Sequence, residues 1–289
     1  MARNREVAKR LFAIEYNRSG HEDKATEENA PNYVITPLGD PVNRLYFVGV
    51  LMSKVNNGTE ESPLYRAEVR DPTGTFYLYV GQYQPQPLSV LPTLEPPTLL
   101  GVVGKVRTFT KDDGSFYVSI KPEVLFPVDI PQRDRWIVST SKFTLERLKA
   151  LEDAQAMDGP AVGPLMEKGH PRRSAESAVN AMSLYGKQDL MQYREAVKGA
   201  LGLVIEGGGR PLMEAPPPPK GATPRPPDIK EDVFKLIREC SSEKGALYRD
   251  IITRCDQKGI DRIRLEETIQ ELLDEGTIYE PTIGLIKVI

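Results

Sequence analysis

The sequence predicts a multidomain chain: a five-stranded β-barrel with flanking helices, followed by a small α+β unit. Three observations predict it. Between about residues 42 and 123, β-branched and aromatic residues alternate with polar ones in five short runs separated by turn chemistry. The stretch "GGGRPLMEAPPPPKGATPRPP" (207–227) has the Gly-rich, then Pro-rich composition of an interdomain linker. Beyond it, residues 228–289 hold three amphipathic stretches and a terminal hairpin pattern.

In chain order, residues 1–41 are expected to be an N-terminal helix and an extended arm. Val7, Leu11 and Ile14 recur at helical spacing over 3–17, with Arg3, Arg5, Lys9 and Arg10 mostly off that stripe. Two uses fit: an amphipathic helix packed on its own domain or a partner, and a basic nucleic-acid arm. Residues 18–30 are polar and predict a loop. The barrel occupies 42–140. Its first strand is "VNRLYFVGVLMSKV" (42–55), closed by the turn signal Asn56-Asn57-Gly58. A hairpin over 64–81 turns at Asp71-Pro72-Thr73-Gly74, where Asp caps, Pro presets φ and Gly ends the turn. The proline-dotted stretch 81–97 excludes a central strand and leaves room for a short helix. Strands over 98–109 and 115–123 follow, joined at Asp112-Asp113-Gly114. Five strands with an irregular connector between the third and fourth match the plan of an OB-fold barrel, and Gly49, Gly81, Gly101 and Gly104 stand where such a barrel bends tightly.

A helical segment spans 141–206. Leu145, Leu148 and Leu151 face one way in its first helix, 158–173 reads as a linker, and 174–206 is helical without a strong stripe. In 228–289, Asp228 and Glu231 form a capping-box pattern, and Gly259 and Gly276 end the second and third helices. "TIYEPTIGLIKVI" closes as a hairpin around Pro281-Thr282-Ile283-Gly284, so three helices and a wing predict a winged helix.

Composition narrows the function. Hydrophobic residues make up 39% and charged residues 27%, and no run reaches the roughly 18 apolar residues of a membrane span. A cytoplasmic, nucleoid-associated protein without a membrane partner is expected. Cys240 and Cys255, with His21 and His170, provide neither a disulfide framework nor zinc-ligand spacing, so free thiols and no cofactor are expected. Phosphate-binding glycine loops, zinc-protease helices and nucleophile elbows are absent from the sequence, which points away from catalysis.

The hairpin at 64–81 carries the most specific chemistry. Alternation puts Ala67, Val69, Phe76, Leu78 and Val80 on one face and Arg66, Glu68, Arg70, Thr75, Tyr77 and Tyr79 on the other. The outer face of the second and third strands is the ligand groove of an OB barrel. Exposed aromatics stack bases there at about 1–3 kcal/mol each while cations follow the phosphates. Lys105, Arg107 and Phe109 in the fourth strand, Tyr117 in the fifth and Tyr83 just beyond the third extend this set to nine candidate nucleic-acid-binding residues. Tyrosines are also good strand residues, and packing against another segment is the competing use for each.

The last unit carries 10 Lys and Arg against 14 Asp and Glu, whereas residues 1–150 carry 19 against 18. Its third helix includes Glu266 and Glu267 beside Leu265 and Ile269. Repulsion from phosphate disfavours a DNA groove and favours docking of a protein partner through these residues.

Resemblance agrees. "LLGVVGKVRTFTKDDGSFYVSIKPE" resembles the corresponding stretch of the middle subunit of replication protein A, and the order of OB domain, helix, linker and winged helix is similar. "REVAKRLFAIEYN", "APNYVITPLGDPVNRLYFVGVL", "DPTGTFYLYVGQYQP" and "RDRWIVSTSKFTLERL" resemble the archaeal family of proteins associated with replication protein A. The resemblance implies single-stranded DNA as ligand, other OB-fold subunits of such a complex as partners, replication and repair as setting, and no catalysis. It also implies base stacking at Phe109 and near Tyr83, an oligomerisation helix at 141–157 using Leu145, Leu148 and Leu151, and recruitment of replication or repair proteins by the winged helix. An OB-fold scaffold that binds proteins and contacts DNA little is the alternative.

Overall fold

The computed structural model describes residues 6–23, 32–58, 63–110, 116–206, 229–241, 245–258, 260, 265–266, 268–269, 272–273, 277–282 and 284–288. In chain order the elements are α1 (Ala13–Tyr16), β1 (His21–Asp23), β2 (Tyr33–Ile35), β3 (Pro41–Val42), β4 (Arg44–Asn56), β5 (Tyr65–Asp71), β6 (Gly74–Val80), α2 (Pro85–Val90), a 3-10 turn (Leu91–Thr93), β7 (Thr98–Thr110), β8 (Phe116–Pro127), α3 (Ile130–Gln155), α4 (Val162–Glu167), α5 (Arg172–Tyr185) and α6 (Met191–Ile205). The C-terminal unit adds α7 (Lys230–Cys240), β9 (Ala246–Leu247), α8 (Tyr248–Gln257), β10 (Ile278–Thr282) and β11 (Leu285–Val288).

Strands β4 to β8 form a closed barrel in the order β4-β5-β6-β8-β7, antiparallel except where Leu78 of β6 meets Ile120 of β8 in parallel. A closed five-stranded barrel of this order with flanking helices is an OB-fold. Ala67 and Val69 pair with Leu78 and Phe76 on the inside, and Phe47 stacks on Phe76 at the centre, ring centroids 3.9 Å apart. At Gly49 a Cβ would lie 2.6 Å from the Arg70 carbonyl oxygen, so the β4–β5 approach excludes any side chain there. The Asp112-Asp113-Gly114 turn lies outside the described residues.

The N-terminal segment is not the helix its periodicity predicts. Lys9 pairs with the barrel edge, its N–H donating to Arg44 O (2.9 Å) and its carbonyl accepting from Tyr46 N (2.8 Å). Among the described residues of this segment only Ala13–Tyr16 turns helical, and the turn at Asp71 explains why it starts there. Asp71 accepts from Ala13 N (2.8 Å), Thr73 N (2.6 Å), Thr73 Oγ1 (2.8 Å) and Gly74 N (2.9 Å), while Thr73 Oγ1 accepts from Ile14 N (3.0 Å). The first orphan donors of α1 are thus capped from another hairpin. Tyr16 packs on Phe76 and donates to Ser119 O (2.6 Å), and Phe12 meets Trp136 edge-on. The loop expected at 18–30 contains β1, which pairs with β2 and through it with β3.

The helix expected from residue 141 begins at Ile130, so a boundary at 140/141 falls inside α3. Asp129 and Gln132 form a reciprocal capping box and Pro131 occupies the first turn. The stretch read as a linker at 158–173 contains α4, and α5 and α6 pack on α3. Ala175, Ala178, Ala181, Tyr193 and Val197 join the core that also holds Leu11, Phe76 and Trp136. Gln188 Nε2 donates to Pro37 O (2.7 Å) and Tyr185 OH to Ile35 O (2.6 Å). Barrel, arm and helices therefore share one core closed within residues 6–206.

A buried ion cluster ties three of these parts together. Glu15, fully buried, accepts from Arg147 Nη2 (2.5 Å) and Thr36 Oγ1 (3.0 Å), and Asp40 bridges Arg147 (3.7 Å) and Lys9. Burial holds the Glu15 carboxyl above its ordinary range against the pull of Arg147.

The C-terminal unit has its own sheet, ordered β10-β11-β9, and its own apolar core. Helix α7 starts at Lys230; Asp228 of the expected capping box lies outside the described residues. Helical backbone at 265–266, 268–269 and 272–273 marks the third helix.

Candidate nucleic-acid interface

Strand register fixes the outer face. Across β5 and β6, Arg66 stands opposite Tyr79, Glu68 opposite Tyr77, and Arg70 opposite Thr75. Across β7 and β8, Lys105 stands opposite Lys121, Arg107 opposite Ser119, and Phe109 opposite Tyr117. Because β8 lies between β6 and β7, the two sets are neighbours around one side of the barrel.

The nine residues differ in how open they are. Tyr83 is 50% exposed and Lys105 is exposed, while Arg66, Arg70, Tyr77, Arg107 and Tyr117 are half-buried. Tyr79 is only 4% exposed, packed with Leu64 and Tyr77 in a small apolar cluster on the outer surface. Phe109 is 5% exposed, and it and Tyr117 pack into the apolar core of the C-terminal unit. Their rings are near-parallel, with centroids 6.5 Å apart. The expected open aromatic row is therefore a partly open stretch, Tyr77 to Tyr83 with Tyr79 covered inside it, and a covered stretch, Phe109 to Tyr117.

Two residues outside the predicted set shape this face. Lys121 places its ammonium 5.7 Å from the centre of the Tyr83 ring. The alternation Tyr117, Ser119, Lys121 in the fifth strand is the signal that identifies it. Glu68, between Arg66 and Arg70, lies 4.0 Å from Arg66 Nη2 and offsets part of their charge. Burial first, and then the Glu68 carboxylate, hold the Tyr77 phenol above its ordinary range. The face is therefore mildly basic around Tyr77 and more strongly basic at Lys105, Lys121 and Arg107.

The partner residues fall differently from expectation. Leu148 and Leu151 have no exposed surface; they lie in the chain's own core with residues of α5 and α6, and only Leu145, 40% exposed, remains on the outside of α3. The face expected to bundle with other subunits is already covered, because the 158–206 segment folds back on it. Leu265 and Ile269 are buried in the C-terminal core, where they hold the third helix and offer no surface to a partner. Glu266 lies on that helix and Glu267 lies outside the described residues.

Among the described residues no cluster of His, Cys, Asp and Glu could hold a metal, and no helix is long and apolar enough to cross a membrane. Cys240 and Cys255 are free thiols, the second buried, its pKa pushed up to about 12 by burial.

No family model matches the sequence, and no curated protein matches it. Among solved structures the chain is similar to the second single-stranded DNA-binding protein of Mycobacterium smegmatis, at 16% identity over 31% of this chain and 89% of that one, with a TM-score of 0.26. It is similar also to the small single-stranded DNA-binding protein of Streptomyces coelicolor, at 15% identity over 32% and 97%, with a TM-score of 0.23. An OBody bound to hen egg-white lysozyme gives 14% over 37% and 98%, with a TM-score of 0.26. Scores of this size add nothing to what the strand order already shows.

Proposed function

We propose that the chain is a non-catalytic, single-stranded-DNA-binding subunit of an archaeal complex like replication protein A, with the outer face of β5, β6, β8 and β7 as its groove. The observation that carries this reading is the pairing of Lys105 with Lys121 across β7 and β8, beside Arg107 and the Tyr83 ring. Like charges directly opposite each other weaken a sheet. A phosphate backbone laid between them reverses that cost, and the neighbouring rings offer stacking surface for bases. Such contacts carry little base information, so binding is expected to be independent of sequence.

In this reading the protein works in the cytoplasm at the nucleoid, in replication and repair, beside another OB-fold subunit. The three-stranded sheet with α7 and α8 is the winged helix that recruits replication or repair proteins. The second reading, an OB-fold scaffold that binds proteins, draws support from the burial of Tyr79 and Phe109 and from Glu68 among the arginines.

Fluorescence anisotropy of a labelled oligo-dT over a salt series separates the two. Groove binding gives an affinity that falls steeply with salt, weakened by Tyr77→Ala and by Lys105→Ala with Lys121→Ala. No binding at low salt, by the full chain and by residues 1–206 alone, would sink this reading in favour of the scaffold.

A further inference from the structure

Phe109 points outward from a barrel strand. It shares its face with exposed Lys105 and half-buried Arg107, yet it is almost completely shielded. Besides Tyr117, what packs on it is not the core of the barrel. The core of residues 6–206 does not contain Phe109; Phe109 and Tyr117 group instead with Ile229, Val233, Ile251 and Ile286 of the C-terminal unit. The unit that packs on them belongs to a region with 14 acidic against 10 basic residues, while the same hairpin carries exposed Lys105 with Arg107 and Lys121. An acidic body with an apolar patch thus covers two aromatic rings that stand beside cations on one hairpin, the chemistry a nucleic-acid strand would use.

We propose that the C-terminal unit is a displaceable cover on the Phe109–Tyr117 end of the groove, competing with single-stranded DNA for the same two rings. This rests on the groove assigned above. The Pro-rich stretch at 207–227 ties the cover to its site, so its local concentration reaches the order of millimolar and a weak contact keeps it closed. DNA then binds with an affinity reduced by the fraction of chains that are open. A strand long enough to occupy both the Tyr77–Tyr83 stretch and the cation pair gains the affinity to displace the cover. A short one stays on the open stretch.

The test inserts a specific protease site into 207–227 and compares uncut chain with cut and separated pieces. Each piece keeps its own closed core, since among the described residues the barrel core has no member beyond Val204 and the C-terminal core takes only Phe109 and Tyr117 from the barrel. With labelled oligo-dT at fixed salt, the separated barrel piece should bind about tenfold or more tightly than the uncut chain, the scale of one lost stacking contact. Adding the free C-terminal piece in excess should return the affinity toward that of the uncut chain. Equal affinities for cut and uncut protein, with no response to the added piece, would overturn the cover and leave the groove standing. Absence of binding by both forms would overturn the groove itself, and the cover with it.

Discussion

Replacing Arg147 by Met should cost the barrel unit about 3–5 kcal/mol at neutral pH, the loss typical of a buried pair with one partner removed. Glu15 has no exposed surface and, among the described residues, accepts from two groups, Arg147 Nη2 at 2.5 Å and Thr36 Oγ1 at 3.0 Å. Met keeps most of the packing volume of the arginine stem, so the loss is chiefly electrostatic. In the variant the Thr36 hydroxyl alone faces the carboxylate, with Asp40 nearby adding repulsion. Burial already raises the Glu15 pKa, and without the guanidinium it rises further. A carboxyl raised in the folded state contributes most stability below its unfolded pKa and loses it as pH rises through the folded value. The penalty should therefore shrink on acidification from pH 7 toward 5, by up to about 1.4 kcal/mol per pH unit. Urea denaturation followed by Trp136, the single tryptophan and a buried one, reads this unit directly. Glu15→Gln combined with Arg147→Met should recover most of the loss. A loss below about 1 kcal/mol at pH 7, or one that does not change with pH, would refute a dry ion pair here.

Three further outcomes follow from the same structure. The Asp71 carboxyl is raised to about 6 by burial, despite its four donors, so Asp71 contributes stability below about pH 4 that is lost through pH 6. The stability difference between wild type and Asp71→Asn should be more favourable to wild type at pH 4.5 than at pH 7 by about 2 kcal/mol, read by urea midpoints; a change of opposite sign would mean that the clamp is solvated. Gly49→Ala should destabilise by about 1–3 kcal/mol in thermal melts, because its Cβ would press on the Arg70 carbonyl; an unchanged melting temperature would show that β4 and β5 can separate there. Lys105→Ala with Lys121→Ala should lower the slope of log affinity against log salt by about 1.4, near 0.7 per phosphate contact on a single strand, and an unchanged slope would place the strand elsewhere.

The barrel was legible because its strands alternate. Ala67, Val69, Phe76 and Leu78 declare an inner face, and the observed pairing follows it residue by residue. The N-terminal segment misled for the opposite reason: its helical spacing is real, but backbone bonds from Lys9 to Arg44 and Tyr46 draw it onto the sheet edge. The early start of α3 was written in Asp129, Pro131 and Gln132 and could have been read as a cap. Helix α5 gave a weak stripe because alanines at 175, 178 and 181 make the contact, and close helix approach uses small residues. On the candidate face, charge and aromatic pattern were readable, but exposure was not. Tyr79 is covered with Leu64 and Phe109 with a unit more than a hundred residues later in the chain, and such contacts leave no local trace.

The Glu15–Arg147 pair also sets a clock on biosynthesis. Its partners are 132 residues apart, so at roughly 5–20 residues per second Glu15 waits about 7–26 s on the ribosome before its arginine is made. During that interval the floor for Leu11, Phe12, Ala13 and Ile14 is made piece by piece, first the strands from Arg44 to Pro127 and then α3, which is still incomplete when Arg147 is added. This apolar stretch emerges well before the elements that cover it. Chaperones that hold short hydrophobic segments should therefore meet this protein at residues 11–14.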